Sequence, residues 1–532
     1  MKFSNQTNRI LGNEWLRYHP YNKVTETDNY YITLCNKVLK IIRQSEISAY
    51  LNNLNDEKGL ACMLVAYFED VISETRLFST FTRLHKKMYG KALPFYITDA
   101  VYYDDEINLP DVFFVIWYHI SIQEELLYYD PYFNFNAGFN IAVTEIYKLF
   151  DSEFEKAPQN EQLQQFLQLA PNSDLKTVRE KLTFIAQDSF LWHDFFGAYF
   201  DKVLDEYKKN DVVVLDEGKE KMIYDKQIHF LYNECMPLLS LRANEYFAEI
   251  LGEDHPEYHF LKNISKRIIG CFLLCKIEKE GYLIEHLTSK KQLFLSNESF
   301  SFDNIKLVEN DTVIINGLVK WKDDVWYSQG ACLIKKRREI DEDPSAHLFD
   351  DEQKKTQFLN DFGKAFLQVS NGERAVYLRG YQAFADFYKK LLLKHAKISK
   401  HKLTKEQAAE TTENLIRDFE ENKSLDKDEA ICIFFNPNSG IEIFRERIVT
   451  CINDKNNPYY ASEQFFIIDL LLDKTFSIEF IEYLFENKII NLKLNEGANP
   501  QILPIMIENF DFLLRFFRGS HYFTNPEVTL AN

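Results

Sequence analysis

The chain has 532 residues, with 81 acidic against 62 basic side chains and a formal charge of −19. That balance excludes wholesale coating of nucleic acid or of an anionic membrane. No run approaches the ~18–20 apolar residues that cross a bilayer, and residues 1–15 are polar where a secretory signal would be apolar, so a cytoplasmic protein is expected. One core rarely grows beyond ~250–300 residues, so the length implies several domains. Only 17 Gly and 14 Pro stand against 45 Phe and 30 Tyr, which favours long packed helices over a turn-rich sandwich. Most of the eight Cys sit in apolar segments and read as small buried hydrophobes in a reducing compartment, and Cys271 with Cys275 lacks the second pair that a zinc site needs.

Residues 1–268 read as one helical domain, or two closely packed ones. Thr25 and Asp28 form a capping-box pattern, and Tyr31, Leu34, Val38 and Ile41 follow at helical spacing. Leu60, Leu64, Tyr67 and Val71 repeat it. A loop from Pro94 to Pro110 carries Asp104-Asp105-Glu106. Apolar stripes then recur at Phe113, Ile116 and Ile120, at Phe139 to Phe154, at Leu175 to Ile185, and over Trp192 to Tyr207. A stripe at this spacing is the signature of a core-facing helix.

The pattern changes at Gly270. Residues 269–337 hold six short β-prone runs: Cys271–Ile277, Tyr282–Leu287, Gln292–Leu295, Thr312–Lys320, Val325–Tyr327 and Ala331–Lys335. They predict a small β-barrel-like module that leans on a helical neighbour. A polar linker is expected over 338–351. Residues 352–532 return to helices at Tyr381–Ala396, Thr404–Asn422, Ser462–Leu472 and Pro504–Arg518. A β-hairpin near 430–445 turns at Asn436-Pro437-Asn438-Ser439-Gly440. The fold class expected is α+β, mainly α.

Several segments carry a family likeness: Trp15-Leu16-Arg17-Tyr18-His19-Pro20-Tyr21, Ala66-Tyr67-Phe68-Glu69-Asp70-Val71-Ile72-Ser73 and Tyr89-Gly90-Lys91-Ala92-Leu93-Pro94-Phe95-Tyr96. Phe434-Phe435-Asn436-Pro437 and Gly440-Ile441-Glu442-Ile443 share it. The chain resembles a family of uncharacterised bacterial proteins, a domain of unknown function, over most of its length. The resemblance implies a bacterial cytosolic protein and brings no activity and no catalytic residues.

The chemistry-bearing residues lack the spacing of known ligand sets. Glu69, Asp70, Glu74, His85, His119, Glu124, Asp188 and His193 supply the donors of a helical metal centre. His119–Glu124 and Asp188–His193 are five apart, however, roughly 140° off a shared helix face. His255 and His259 are four apart, but Pro256 stands where a zincin needs its Glu. Pro256 instead suggests a helix start capped by Asp254 or His255. No phosphate loop, nucleophile elbow or dinucleotide fingerprint is found. No metal, no cofactor and no catalytic residue is assigned.

Two surfaces remain. Lys390, Lys394 and Lys397 share a helix face within a run of seven Lys and no acid from Lys389 to Lys405. With Arg337, Arg338 and Trp326 of the β-module they are candidates for nucleic-acid contact. Residues 101–160 hold 11 acids and 2 bases, with Tyr128, Tyr129, Tyr132 and Phe133 as candidates for a protein interface. The leading reading is a non-enzymatic macromolecule-binding or scaffold protein with a protein partner. The alternatives are a nucleic-acid-associated protein and an enzyme of unfamiliar type with a pocket between helices and β-module. No membrane partner is expected.

Overall fold

The computed structural model describes residues 8–96, 98, 102–123, 137–209, 216–299, 307–322, 324–340, 343, 345, 352–421, 426–496, 498, 500–523 and 530–531. The chain is α+β and mainly α, and it divides into two compact units, residues 1–348 and 349–532. The stretches 1–268 and 269–337 therefore share one unit. No helix among the described residues is long and apolar enough to cross a membrane. The eight cysteines are unbridged and six are buried.

The first unit begins with the short α1 (Gly12–Trp15) and the long α2 (Glu26–Arg43). The Thr25 hydroxyl accepts from the Asp28 amide, and Asp28 accepts from the Thr25 amide. The capping box read from sequence is thus formed at both ends. Next come α3 (Leu54–Ile72), α4 (Leu77–Tyr89), α5 (Leu109–Gln123) and α6 (Ala137–Glu153). From Lys58 to Asp70 every residue of α3 is buried, so it is the axis around which the others pack. Phe68 stacks on Phe150 with centroids 4.8 Å apart, and Phe81 on Phe114 at 5.1 Å. Gly90, at φ 78°, ends α4 in the left-handed cap that glycine adopts without strain.

The unit continues through α7 (Glu161–Leu167), α8 (Leu175–Thr183), a π-turn at Phe184–Asp188, α9 (His193–Lys209), α10 (Asp216–Asn233), α11 (Ala243–Leu251) and α12 (Tyr258–Asn263). The start of α12 corrects the capping expected at Asp254 or His255: Glu257 is the residue before it. His255 closes a preceding turn, its Nδ1 accepting from the Glu257 amide and its Nε2 facing the Leu169 carbonyl.

Strands β1 (Ile268–Ile277), β2 (Gly281–His286), β3 (Gln292–Ser296), β4 (Thr312–Lys320) and β5 (Val325–Lys336) follow. They pair in the closed cycle β1-β2-β3-β5-β4, sealed by a short parallel contact of β3 with β5. The two runs expected at 325–327 and 331–335 are one strand. Gly330, at φ 96°, lets it bend without ending. Arg267 anchors this sheet to α10: its guanidinium meets Asp225 and donates to the Gln329 carbonyl at 2.8 Å. Within the stretch expected as a linker, Ser345 Oγ lies 3.1 Å from both His286 Nε2 and the Cys271 amide.

In the second unit, α13 (Glu352–Val369) leads to β6 (Ala375–Arg379), α14 (Gly380–Ile398), α15 (Lys405–Glu421), β7 (Ala430–Asn436) and β8 (Gly440–Phe444). The hairpin turns as read, with the Asn438 amide on Asn436 Oδ1 and Gly440 at φ 104°. It is part of a larger sheet, however: a C-terminal strand, Leu530–Ala531, pairs parallel to β8, giving four strands in all. One face packs Phe366, Phe387 and Leu391 against Ile433 and Ile443. The other stacks Phe444 on Phe480. The helix expected at Pro504–Arg518 is two, Ile502–Glu508 and Phe510–Arg518, broken at Asn509.

Candidate functional site

The first unit contains an acidic cleft where α3 hands over to α4. The chain reverses through Glu74 (φ 51°) and Arg76 (φ 64°), left-handed positions that cost a non-glycine residue roughly 1–2 kcal/mol each. Asp70 holds the turn. Its buried carboxylate accepts from the Thr75 hydroxyl and from the amides of Leu77 and Phe78, both at 2.8 Å. These amides open α4, where a carboxylate is favoured by the helix dipole. Burial nonetheless raises the Asp70 pKa to about 6, against the pull of those donors. Asp111, in the first turn of α5, sits in a similar balance. It accepts from the Tyr67 and Tyr102 hydroxyls at 2.8 Å and from Asn108 at 3.1 Å, and burial raises it to about 6.

The cleft holds about 470 Å³. Asp70 and Asp111 lie at its base, and the exposed Glu74, Asp104, Asp105, Glu106 and Glu155 at its rim. Seven carboxylates thus meet one cation, Arg76, among the described lining residues.

Behind this cleft lies a buried polar cluster. His19 Nδ1 is 3.2 Å from the Trp15 carbonyl and Nε2 is 2.8 Å from Glu69 Oε2. Asn160 donates to Glu69 Oε1 at 2.9 Å and to the Tyr21 hydroxyl at 2.6 Å. Burial works against the charge on His19, but the Glu69 carboxylate more than offsets it, so the His19 pKa stands above its ordinary value. His19, Asp28 and Glu69 bring ligand-type atoms within 4.8 Å of one another, close enough to suggest a metal. Asp28 argues otherwise. Its Oδ1 accepts from Trp15 Nε1 (2.9 Å) and the Tyr21 hydroxyl (3.1 Å), and its Oδ2 from the Thr25 amide and hydroxyl (2.7 and 2.8 Å). Four donors fill the acceptor sites of a carboxylate. The cluster is a closed hydrogen-bonded network. Beside it, Lys58 meets Glu14 at 2.9 Å with both side chains fully buried.

The donors singled out in sequence do not converge. Glu69 joins His19, Asp70 caps α4, and Glu74 lies on the cleft rim. His85 Nδ1 bonds the Lys91 carbonyl, and burial lowers its pKa to about 4. His119 pairs with Asp194 at 2.6 Å, and His193 Nδ1 with the Gln187 carbonyl. Asp188 lines a separate concavity with Arg179 and Tyr224, and burial raises it to about 7. Glu124 lies outside the described residues. His19 and Asp28 were missed as partners. The signals for them were the Trp15–His19 spacing of four and the carboxylate three residues into the capping box.

Among the surface candidates, Lys390 and Lys397 are exposed on α14, with Lys394 half-buried between them. Arg337 and Arg338 are exposed in a single 3-10 turn after β5. Trp326 corrects the stacking role considered for it. Its register opposite Leu295 and Lys320 turns the ring inward, leaving it 8 % exposed. Its neighbours Val325 and Tyr327, on the alternate face, are half-buried. Tyr128, Tyr129, Tyr132 and Phe133 lie outside the described residues.

Fold and site define a mainly helical α+β protein whose first unit pairs a closed polar cluster with an acidic cleft. Residues 9–271 match the family model described as a protein of unknown function (DUF3843). That stretch contains the whole cluster and cleft and ends inside β1. The likeness noted at Phe434–Ile443 lies beyond it. No curated protein and no solved structure matches the chain.

Proposed function

We propose that this is a non-enzymatic binding protein whose first unit receives a lysine- or arginine-bearing segment of a protein partner in the acidic cleft. The observation that carries the reading is the lining itself, seven carboxylates to one guanidinium in a concavity of about 470 Å³. Low-dielectric walls focus such a field and raise the local concentration of cations. Asp70 and Asp111 are fixed by hydroxyl and amide donors before any partner arrives, which reduces the ordering cost of binding. The test is fluorescence anisotropy of a labelled lysine-arginine peptide at low and high salt. Saturable binding that weakens with salt supports the reading, and no binding at low salt overturns it.

A second reading, nucleic-acid association, is favoured by one observation in the second unit. Lys390, Lys394 and Lys397 share a face of α14 and make no ion pair among the described residues. Unpaired lysines on one face suit phosphate contact. With Trp326 buried, this reading rests on charge without stacking. Duplex and single-stranded oligonucleotides, titrated against wild type and Lys390→Glu/Lys397→Glu, test it.

A further inference from the structure

Between α8 and α10 the first unit has a separate concavity, lined by the π-turn Phe184–Asp188 and by Pro20. It holds about 390 Å³, within the ~300–1,000 Å³ of small-molecule sites. The turn decides which side chains meet there. By the 3.6-residue repeat, Asp188 on an unbroken continuation of α8 would lie about 180° from Arg179, on the opposite face. The Ser189 amide instead donates to the Phe184 carbonyl, five residues back, at 2.8 Å. This wider turn brings Asp188 into the same lining as Arg179 and Thr183. Single π-turns of this kind are frequent at functional sites.

Two opposite charges stand unused in the lining. Asp188 is half-buried and makes no hydrogen bond or ion pair among the described residues. The opposing charge that acts on it, His19, is already engaged by Glu69. A carboxylate drawn out of water without a donor is costly to keep. Arg179, also half-buried, makes no ion pair among the described residues either. Its charge acts on the buried Tyr232 hydroxyl of α10, which places the guanidinium on that side of the concavity, away from Asp188. Glu180 is exposed at the rim. Between the charges, Phe184 and Ile228 give an apolar wall, and Gln227 a neutral hydrogen-bonding group.

From this we infer that the concavity binds a free α-amino acid with an apolar side chain, its ammonium on Asp188 and its carboxylate on Arg179. An ammonium supplies the donors that Asp188 lacks, and a guanidinium fork matches a carboxylate. A ligand with a single charge would satisfy one group and meet the other as a like charge. The apolar wall takes the side chain. This site is independent of the acidic cleft, and its failure would leave the proposed function untouched.

The experiment is isothermal titration of the full chain with L-leucine and L-phenylalanine, for wild type, Asp188→Asn and Arg179→Gln. The single-charge analogues 3-methylbutylamine and 4-methylpentanoate are titrated beside them. At least one amino acid should bind wild type saturably and lose roughly tenfold or more in either variant. Both analogues should bind wild type at least tenfold more weakly than L-leucine. Asp188→Asn removes a charge that has no partner in the protein, so without ligand it should melt no lower than wild type. The bound amino acid should raise the melting temperature of wild type alone. No binding of either amino acid at millimolar concentration overturns the inference, as does equal binding by the three folded proteins. An amine that binds as tightly as L-leucine would also overturn it, in favour of a simple cation site.

Discussion

His19 Nε2 lies 2.8 Å from Glu69 Oε2, while His19 Nδ1 faces the Trp15 carbonyl at 3.2 Å. A carbonyl and a carboxylate both accept, so this geometry favours the doubly protonated ring, the direction in which the Glu69 carboxylate moves the His19 pKa. The pair ties the Trp15–Tyr21 segment to α3 inside the protein, where either charge alone would be stranded.

Breaking that pair from one side is therefore expected to be severe. His19→Gln leaves Glu69 buried without its cation, at a cost of about 3–5 kcal/mol. The double variant His19→Gln/Glu69→Gln should lose less than His19→Gln alone. Urea unfolding of the three proteins checks this.

The same pair gives stability a definite pH dependence. The folded His19 pKa is above the unfolded value of about 6.5. Its contribution is then full below about pH 6.5 and is lost as pH rises through the folded pKa. Stability measured from neutral to alkaline pH should fall more steeply in wild type than in the double variant.

Asp70 and Asp111 act in the acid range. Their folded pKa values are about 6, above the ~3.9 of an unfolded aspartate. The fold holds their protons more tightly, so their contribution to stability declines as pH rises from about 4 through about 6. Cation binding in the cleft needs them ionised. Affinity for a basic peptide should therefore rise across that window, and Asp111→Asn should flatten the rise. Anisotropy titrations at stepped pH give the comparison.

Gly281 opens β2 against the Leu295 carbonyl, where an added Cβ would lie 2.2 Å from the oxygen. The β2–β3 pairing has no room for a side chain there. Gly281→Ala should destabilise by about 1–3 kcal/mol, the usual cost of overpacking, and thermal melting of the full chain would show it.

Much of this fold was legible locally. Thr25 and Asp28 announced α2, the Asn436–Gly440 turn announced its hairpin, and the change at Gly270 announced the strands of the central sheet. What escaped the sequence depended on distant partners. β6 and the strand at Leu530 are strands because they join a sheet edge, not because of their own pattern. Trp326 was ambiguous until the β3 register turned it inward. The cleft was half visible: Asp104-Asp105-Glu106 stood out as a charged run. Asp70 stood out only as a possible metal donor and Asp111 only as a helix start, because the turn through Glu74 and the tyrosines Tyr67 and Tyr102 that gather them are separated in sequence.

Under the proposed function the acidic cleft receives a cationic segment. The most direct test is charge reversal at the exposed rim, Asp104→Lys/Asp105→Lys/Glu106→Lys, which leaves Asp70, Asp111 and their hydrogen bonds in place. With a labelled lysine-arginine peptide at low salt, wild type should bind and the variant should lose roughly tenfold or more in affinity, while both melt at similar temperatures. Equal affinity in the two proteins, both folded, would mean that the cleft does not receive the cationic segment.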